Sequence, residues 1–382
     1  MTDLTIRGAR ALLPHGTLTQ TDIAIADGHI DEANGLSAGR VIDAQGLLLL
    51  PGIVDLHGDA FERQIMPRPG VHFPIDLALI DTDRQLAANG ITTAFHGLTW
   101  SWEPGLRGRE AAFALFDGME RIRPRLLTDT RIHLRHEVYN TGAVDSIVDL
   151  ITAGRVGLLA FNDHLPMMKR KSNTPQKLVQ YAERADLSLD AYIALIDEVA
   201  ARESMVAPTN DRIAAAAREN QIAMASHDDP SPDLRKHFHE MGCALCEFPL
   251  NRPTLEAARG FGDAIIMGSP NVVRGGSHTG GLRVADMVKD GLVDILTSDY
   301  YYPALLQAPF KLMAEGQCDF ATAWSLVSTN PARAVGLHDR GTIATGQRAD
   351  LILVDDRDPT LPHVVATIAG GRVIASNGGP AA

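Results

Sequence analysis

The chain has 382 residues, 45% of them hydrophobic and 21% charged, with a formal net charge of −12. That balance excludes a disordered chain and speaks against general nucleic-acid binding, which needs a basic face to neutralise phosphate. The cysteines, Cys243, Cys246 and Cys318, are too few and odd in number for a disulfide framework.

The first residues, Met1 to Leu13, lack the basic and then apolar pattern of a signal peptide. No stretch approaches the roughly 18 apolar residues of a membrane span. A cytoplasmic protein without membrane or nucleic-acid partners is expected, and a homodimer is the base-rate expectation for assembly.

Residues 1–50 alternate short apolar runs with turns. Leu4–Ile6, Ala11–Leu13, Thr21–Ala26 before Asp27-Gly28, Val41–Asp43 and Leu47–Leu50 read as strands. From residue 51 the texture changes. Gly52–Leu56, Ile91–His96, Arg131–Val138, Val156–Phe161, Gln221–Ser226, Cys243–Phe248, Ala264–Met267 and Val293–Thr297 are candidate strands. Helices are expected between them near 76–89, 107–124, 143–153, 176–219 (two helices), 231–241, 253–260, 281–290 and 303–327. Eight strand–helix units predict an α/β fold of the (β/α)8, TIM-like type. Beyond it, Asp350–Asp355, Val364–Ile368 and Arg372–Ala375 resume the short-strand pattern. The expected organisation is a barrel at 51–335 and a small discontinuous β-sandwich from 1–50 and 336–382.

Chemistry in such a barrel gathers at the C-terminal ends of strands. Five candidate strands end in metal-type ligands: His57-Gly58-Asp59, His133 to Glu137, Asn162-Asp163-His164, Ser226-His227-Asp228-Asp229 and Ser298-Asp299-Tyr300. A loop after the seventh strand adds Arg274 and His278. Imidazole with carboxylate suits Zn2+, Mn2+ or Fe2+. One such His alone reads as an ordinary hydrogen-bonded residue; five coincident strand ends do not. Cys243 and Cys246 read as two thiols on an apolar strand. His15, His29, His237 and His239 read as solvated.

Leu50-Pro51-Gly52-Ile53-Val54-Asp55-Leu56-His57, with Thr329 to Ala334 and Gly341 to Asp350, resembles the two ends of the barrel in the amidohydrolase superfamily. Arg68 within Pro67–Val71, His133-Leu134-Arg135 with Glu137, Asp163-His164, Ala225 to Asp229, Pro270 to His278 and Ser298 to Tyr301 narrow the resemblance. They are similar to one branch, the diphosphatases of the carbon–phosphorus lyase pathway that act on α-D-ribose 1-methylphosphonate 5-triphosphate. The sequence departs from that branch at Gly58, Ala60 and the Trp100–Glu103 loop.

The resemblance implies one or two divalent metal ions, with zinc foremost. It implies His57, Asp59, Glu137, His164, His227 and Asp299 as ligands, Glu137 bridging, and Asp299 as proton acceptor. It further implies water attack on the α-phosphorus with release of pyrophosphate. A phosphorylated small-molecule substrate needs local cations; Arg68, Arg135, Lys169, Arg170, Arg274 and His278 are the candidates. Lys171 and the backbone at Gly275-Gly276 are also placed for an anion. Two other readings stay open: an amidohydrolase or deaminase acting on a C–N bond, and a scaffold that has lost its metal.

Overall fold

The computed structural model of the chain describes residues 3–31, 39–68, 70–276 and 281–378. Eight short strands, Ile53–Gly58, Ile91–Trp100, Asp129–Glu137, Leu158–Asn162, Met224–His227, Leu245–Glu247, Ala264–Gly268 and Ile295–Thr297, form one sheet in chain order. Every neighbouring pair is parallel. Strands covered on both faces must be apolar nearly throughout, and the second strand is buried along its whole length.

The first and eighth strands close the barrel through a parallel bridge between Gly58 and Asp299. The Asp299 N–H donates to the His57 carbonyl, and the Asp59 N–H donates to the Asp299 carbonyl, both at 2.9 Å. The fold is therefore the TIM-like barrel that the eight strand–helix units predict.

Strands from the two ends of the chain hydrogen-bond into a second, eight-stranded mixed sheet. Leu4–Leu12 pairs with Leu18–Ala26 across a register shift between Ile6 and Ala9. It also runs parallel to Arg40–Asp43 along one half and to Leu48–Pro51 along the other. Leu351–Asp355 then pairs antiparallel with Leu48–Pro51 and leads into the terminal hairpin. Ile6, Ile25, Ile42, Leu49, Leu353 and Ile368 share its core.

The helices behind the fifth and sixth strands show why the strand ends are well placed. Ser231 caps Pro232–Met241, its Oγ accepting from Leu234 N–H, and Gly242 ends it at φ 105°. Asn251 caps Arg252–Phe261 in the same way, and Gly262 ends it at φ 81°. Side-chain caps of this kind satisfy the open N–H groups of the first turn, and glycine takes the left-handed residue at the end.

Two helical expectations need correction. Segment 176–219 holds a 3-10 turn and three helices, Val179–Arg184, Leu189–Ala200 and Glu203–Glu219. Segment 303–327 is divided into Ala304–Ala314 and Phe320–Ser325, with Asp319 capping the second. No helix among the described residues is long and apolar enough to cross a membrane.

Arg235 ties this region together. It is fully buried and donates to Ser226 Oγ at 2.6 Å, Cys243 O at 2.7 Å and Leu245 O at 3.1 Å. It also lies 3.4 Å from Asp229 and 3.3 Å from Asp263. Removing one member of a buried charge network strands the others, at a cost of about 3–5 kcal/mol. Arg235→Met is expected to lose stability on that scale in urea unfolding. A loss below about 1 kcal/mol, the scale of an exposed ion pair, would show that the network is not what holds the fifth and sixth strands.

Candidate metal centre

Among the described residues, three non-glycine residues at the C-terminal rim have left-handed backbones: Asp228 (φ 60°), Phe248 (φ 51°) and Asp299 (φ 54°). They follow the fifth, sixth and eighth strands. Each still donates its N–H to the neighbouring strand, to Glu247 O, Ile266 O and His57 O respectively, at 2.9 Å. The backbone therefore keeps the ladder and turns only afterwards. Such positions cost energy in side-chain-bearing residues and concentrate where a side chain must be aimed.

The turn brings two imidazoles and a carboxylate together at the mouth. His164 Nε2 lies 3.4 Å and His227 Nδ1 3.5 Å from Asp228 Oδ2. These three groups form one set able to hold a metal ion. His227 Nδ1 is buried and has no hydrogen-bond partner. Glu137, buried at the end of the third strand, bonds His164 Nδ1 at 2.5 Å and fixes the ring. Burial alone would depress His164; the negative Glu137 and the hydrogen bond to Asp228 instead raise it to about 10. Asp228 is held well below the carboxylate range, burial being outweighed by His227 and His164.

A second set lies deeper in the barrel. His57, His133 and Glu247, from the first, third and sixth strands, are at most 1% exposed. His57 Nδ1 is 3.3 Å from both Glu247 oxygens, and His133 Nε2 is 3.6 Å from Oε2. Both rings are shifted toward the neutral form by burial, with Glu247 opposing this at His133, which still falls to about 3. Neutral imidazole is the metal-binding form. By donor type and spacing, both triads could hold a divalent cation.

Arg135 stands between the two sets. It is 5% exposed, contacts His227 Nε2 at 3.0 Å and lies 3.8 Å from Asp59. Asp299 and Asp59 face the same space. Burial, reinforced by the Asp59 charge, pushes the Asp299 carboxyl up to about 7; burial and Glu62 raise Asp59.

Two cavities meet at these residues, sharing Asp59, Arg135, His227 and Asp228. One, of about 350 Å3, reaches His57, Asp299, Tyr300 and Arg274. The other, of about 220 Å3, reaches Glu137, His164, Arg107 and Arg184. Arg274 is exposed at the rim, its guanidinium 3.4 Å from Tyr300 OH.

Of the residues singled out from the sequence, the structure places His57, Asp59, Arg135, Glu137, His164, His227, Asp299 and Arg274 along these walls. Arg68, Lys169 and Arg170 are exposed and line neither cavity. Lys169 and Arg170 sit in the last turn of Leu165–Ser172, where basic side chains complement the helix dipole. His278 lies outside the described residues.

Four residues of the site went unassigned. Asp228 stands in a quoted motif, yet only its backbone turn shows which way it points. Glu247 is hidden in the apolar strand of Cys243 and Cys246. Arg107 ends a 3-10 turn and Arg184 ends the helix Val179–Arg184, neither with a local signal; they pair with Glu62 and Glu103 at 2.8 and 2.6 Å. His239, read as solvated, bonds Asp263 at 2.8 Å.

The departure at Gly58 has a packing cause. A Cβ there would meet Asp55 Oδ2 at 2.9 Å, Ser298 Oγ at 3.0 Å and Tyr302 Cε1 at 3.0 Å. Asp55 accepts from Ser298 N–H at 3.0 Å and from Ser298 Oγ at 2.5 Å. Gly58 therefore makes room for the staple between the first and eighth strands. Ala60 packs against the barrel core. Trp102 and Glu103, in contrast, do line the second cavity.

Residues 84–375 match the amidohydrolase family. The chain belongs to that family and is a hydrolase of the amidohydrolase superfamily. It is 34% identical over 328 residues to the alpha-D-ribose 1-methylphosphonate 5-triphosphate diphosphatase of Escherichia coli (strain K12), covering 84% of this chain and 86% of that one. It is 27% identical over 390 residues to an adenine deaminase of Methylobacterium sp. (strain 4-46), covering 97% of this chain but 58% of the deaminase. A solved amidohydrolase structure shares the fold with a TM-score of 0.65 at 15% identity, covering 98% of this chain and 99% of that one.

Gly58→Ala tests the packing account. Overpacking of this kind typically costs about 1–3 kcal/mol, so the unfolding midpoint should fall. Ser298→Gly in the same chain should return part of the loss. An unchanged midpoint, with altered substrate preference, would make Gly58 a substrate determinant instead.

Proposed function

We propose that the chain is a metal-dependent diphosphatase that hydrolyses the triphosphate of α-D-ribose 1-methylphosphonate 5-triphosphate or a close analogue. The observation that carries this reading is one cavity wall. Arg135 and Arg274 share it with His227, Asp228 and Asp299, so a polyanion and an ion site meet in one space. The relative of the same activity, similar along most of both chains, supports it.

His164, His227 and Asp228 would hold the ion, with zinc the natural choice for two imidazoles and a carboxylate. When bound, the ion supplies Lewis-acid polarisation and a more acidic water. Arg135, against His227 Nε2 at 3.0 Å and 3.8 Å from Asp59, adds positive charge beside the site. Arg274 holds the outer phosphates at the rim. Asp299 takes the proton of the attacking water as its oxygen bonds the α-phosphorus. The Pα–O bond to the β-phosphate breaks, pyrophosphate leaves and the ribose keeps its 5-phosphate.

The zinc-loaded protein is to be assayed for pyrophosphate release from the ribose phosphonate and from ATP, and in parallel for turnover of amides and imines. Release from the ribose phosphonate in clear preference to ATP is expected. Turnover only on the C–N panel would replace the reading with a deaminase or amidase.

Arg274→Ala gives a second check. A hydrogen bond to a charged group is worth about 1.5–3 kcal/mol, so KM for the triphosphate should rise about ten- to a hundredfold with kcat little changed. An unchanged KM would remove Arg274 from the anion site.

A further inference from the structure

We propose that Arg107 and Arg184, on the wall of the smaller cavity, bind a second anionic group of the substrate, the phosphonate on C1 of the ribose, and so set the specificity. The proposal deepens the diphosphatase reading and rests on it for the direction in which the substrate lies.

That direction comes from the two cavities. Asp59, Arg135, His227 and Asp228 line both, so an α-phosphorus attacked beside the ion sits at their junction. The larger cavity carries Arg274 for the outer phosphates. The ribose and its C1 group then extend into the smaller one, of about 220 Å3. Arg107, Arg135 and Arg184 all line that space. The three guanidiniums act on one neighbourhood: burial alone would raise the Glu62 carboxyl, yet Arg107, Arg184 and Arg135 together hold it below its ordinary value.

The donors of the two outer arginines are not used up. A guanidinium carries five N–H groups. The recorded hydrogen bonds of Arg107 use Nε and Nη2, 3.0 and 2.8 Å from the two Glu62 oxygens. Glu62 is not on the cavity wall, and the two N–H groups of Nη1 are left over. Arg184 uses Nη2, 2.6 Å from Glu103 Oε2, and its Nε is buried without a hydrogen-bond partner. Both oxygens of Glu103 are engaged, because Tyr192 OH donates to the other.

The rest of the wall fits the same group. A methylphosphonate ester presents one negative charge, shared by two terminal oxygens, and one methyl. The oxygens accept from Arg107 and Arg184, a charge-assisted pairing that suits guanidinium and a phosphorus oxyanion. Met167, Met168 and Trp102 lie on the same wall and receive the methyl. The Trp100–Glu103 loop, where the sequence departs from the diphosphatase branch, thus supplies an apolar contact at Trp102 and the carboxylate that holds Arg184. Glu103 is a positioning residue.

The test is a binding preference, which needs no turnover. Zinc-loaded full-length chain is titrated calorimetrically with ribose 1-methylphosphonate 5-phosphate and with ribose 5-phosphate. The parent should bind the phosphonate about ten- to a hundredfold more tightly, the scale of hydrogen bonds to a charged group. Arg107→Gln and Arg184→Gln should each lose most of that preference. A merely structural loss would weaken both ligands and leave their ratio in place. A parent without the preference, or variants that keep it, overturns the proposal. Should the variants fail to fold, crystals of the parent soaked with the phosphonate are measured. The C1 phosphorus is expected against Arg107 and Arg184; the same phosphorus against Arg274 overturns the proposal. Pyrophosphate release without the preference overturns this proposal and leaves the diphosphatase reading standing. The preference without pyrophosphate release overturns that reading and leaves the anion subsite.

Discussion

A parallel barrel is closed only when its last strand finds its first, and here the residues that make the join also build the site. Asp299 donates its N–H to His57 O and accepts from the Asp59 N–H. Asp55, one turn of the pleat below, accepts from both the N–H and the hydroxyl of Ser298. Gly58 leaves the space that this staple needs. The first and last strands therefore cannot drift apart without unmaking the rim. With the ladder intact, the left-handed turn at Asp299 leaves its carboxylate in the cavity that Asp59 also lines, and burial together with the Asp59 charge raises the proton affinity of Asp299. Fold and chemistry share one set of hydrogen bonds.

The electrostatic problem created there is solved by position. Asp59, Glu137, Asp228 and Asp299 crowd the mouth of a chain that is already acidic. Arg135, nearly buried among them, lowers several of these carboxyls, yet one guanidinium cannot balance four carboxylates. Two sets of imidazoles and carboxylates at ligand spacing, with His133 Nε2 and His227 Nδ1 buried and without hydrogen-bond partners, are candidate places for further positive charge. The outer arginines have different roles. Arg107 and Arg184 are held by Glu62 and Glu103, while Arg274 is exposed at the rim.

The barrel was legible in the sequence because strands covered on both faces must be apolar and must end in something polar. Gly52–Leu56 and Val293–Thr297 show this pattern plainly. His57, Asp59, His164, His227 and Asp299 stood out because each falls where such a run stops. What escaped notice depends on direction or on distance along the chain. Glu247 ends an apolar strand with no neighbouring His. Arg107 and Arg184 enter the site from a 3-10 turn and a helix end separated by about 80 residues, with partners equally remote. Lys169 and Arg170 illustrate the converse: a basic run beside a site residue, turned outward by helix geometry. The breaks near 185–188 and 315–319 rest on local turn and capping chemistry, at Asp186 (φ 55°) and Asp319, which hydrophobic periodicity does not register.

The central claim is that the carboxylate at the barrel's closing strand accepts the proton of water at an ion-loaded mouth. It is tested most directly by preparing Asp299→Asn, counting its bound zinc and measuring its turnover on the ribose triphosphate beside the parent. Loss of a general base typically costs about 10²–10⁴-fold. The account predicts a fall of that size in kcat with the ion count unchanged, because the mouth triad does not include Asp299. Turnover at the parent rate with the same zinc content would contradict it.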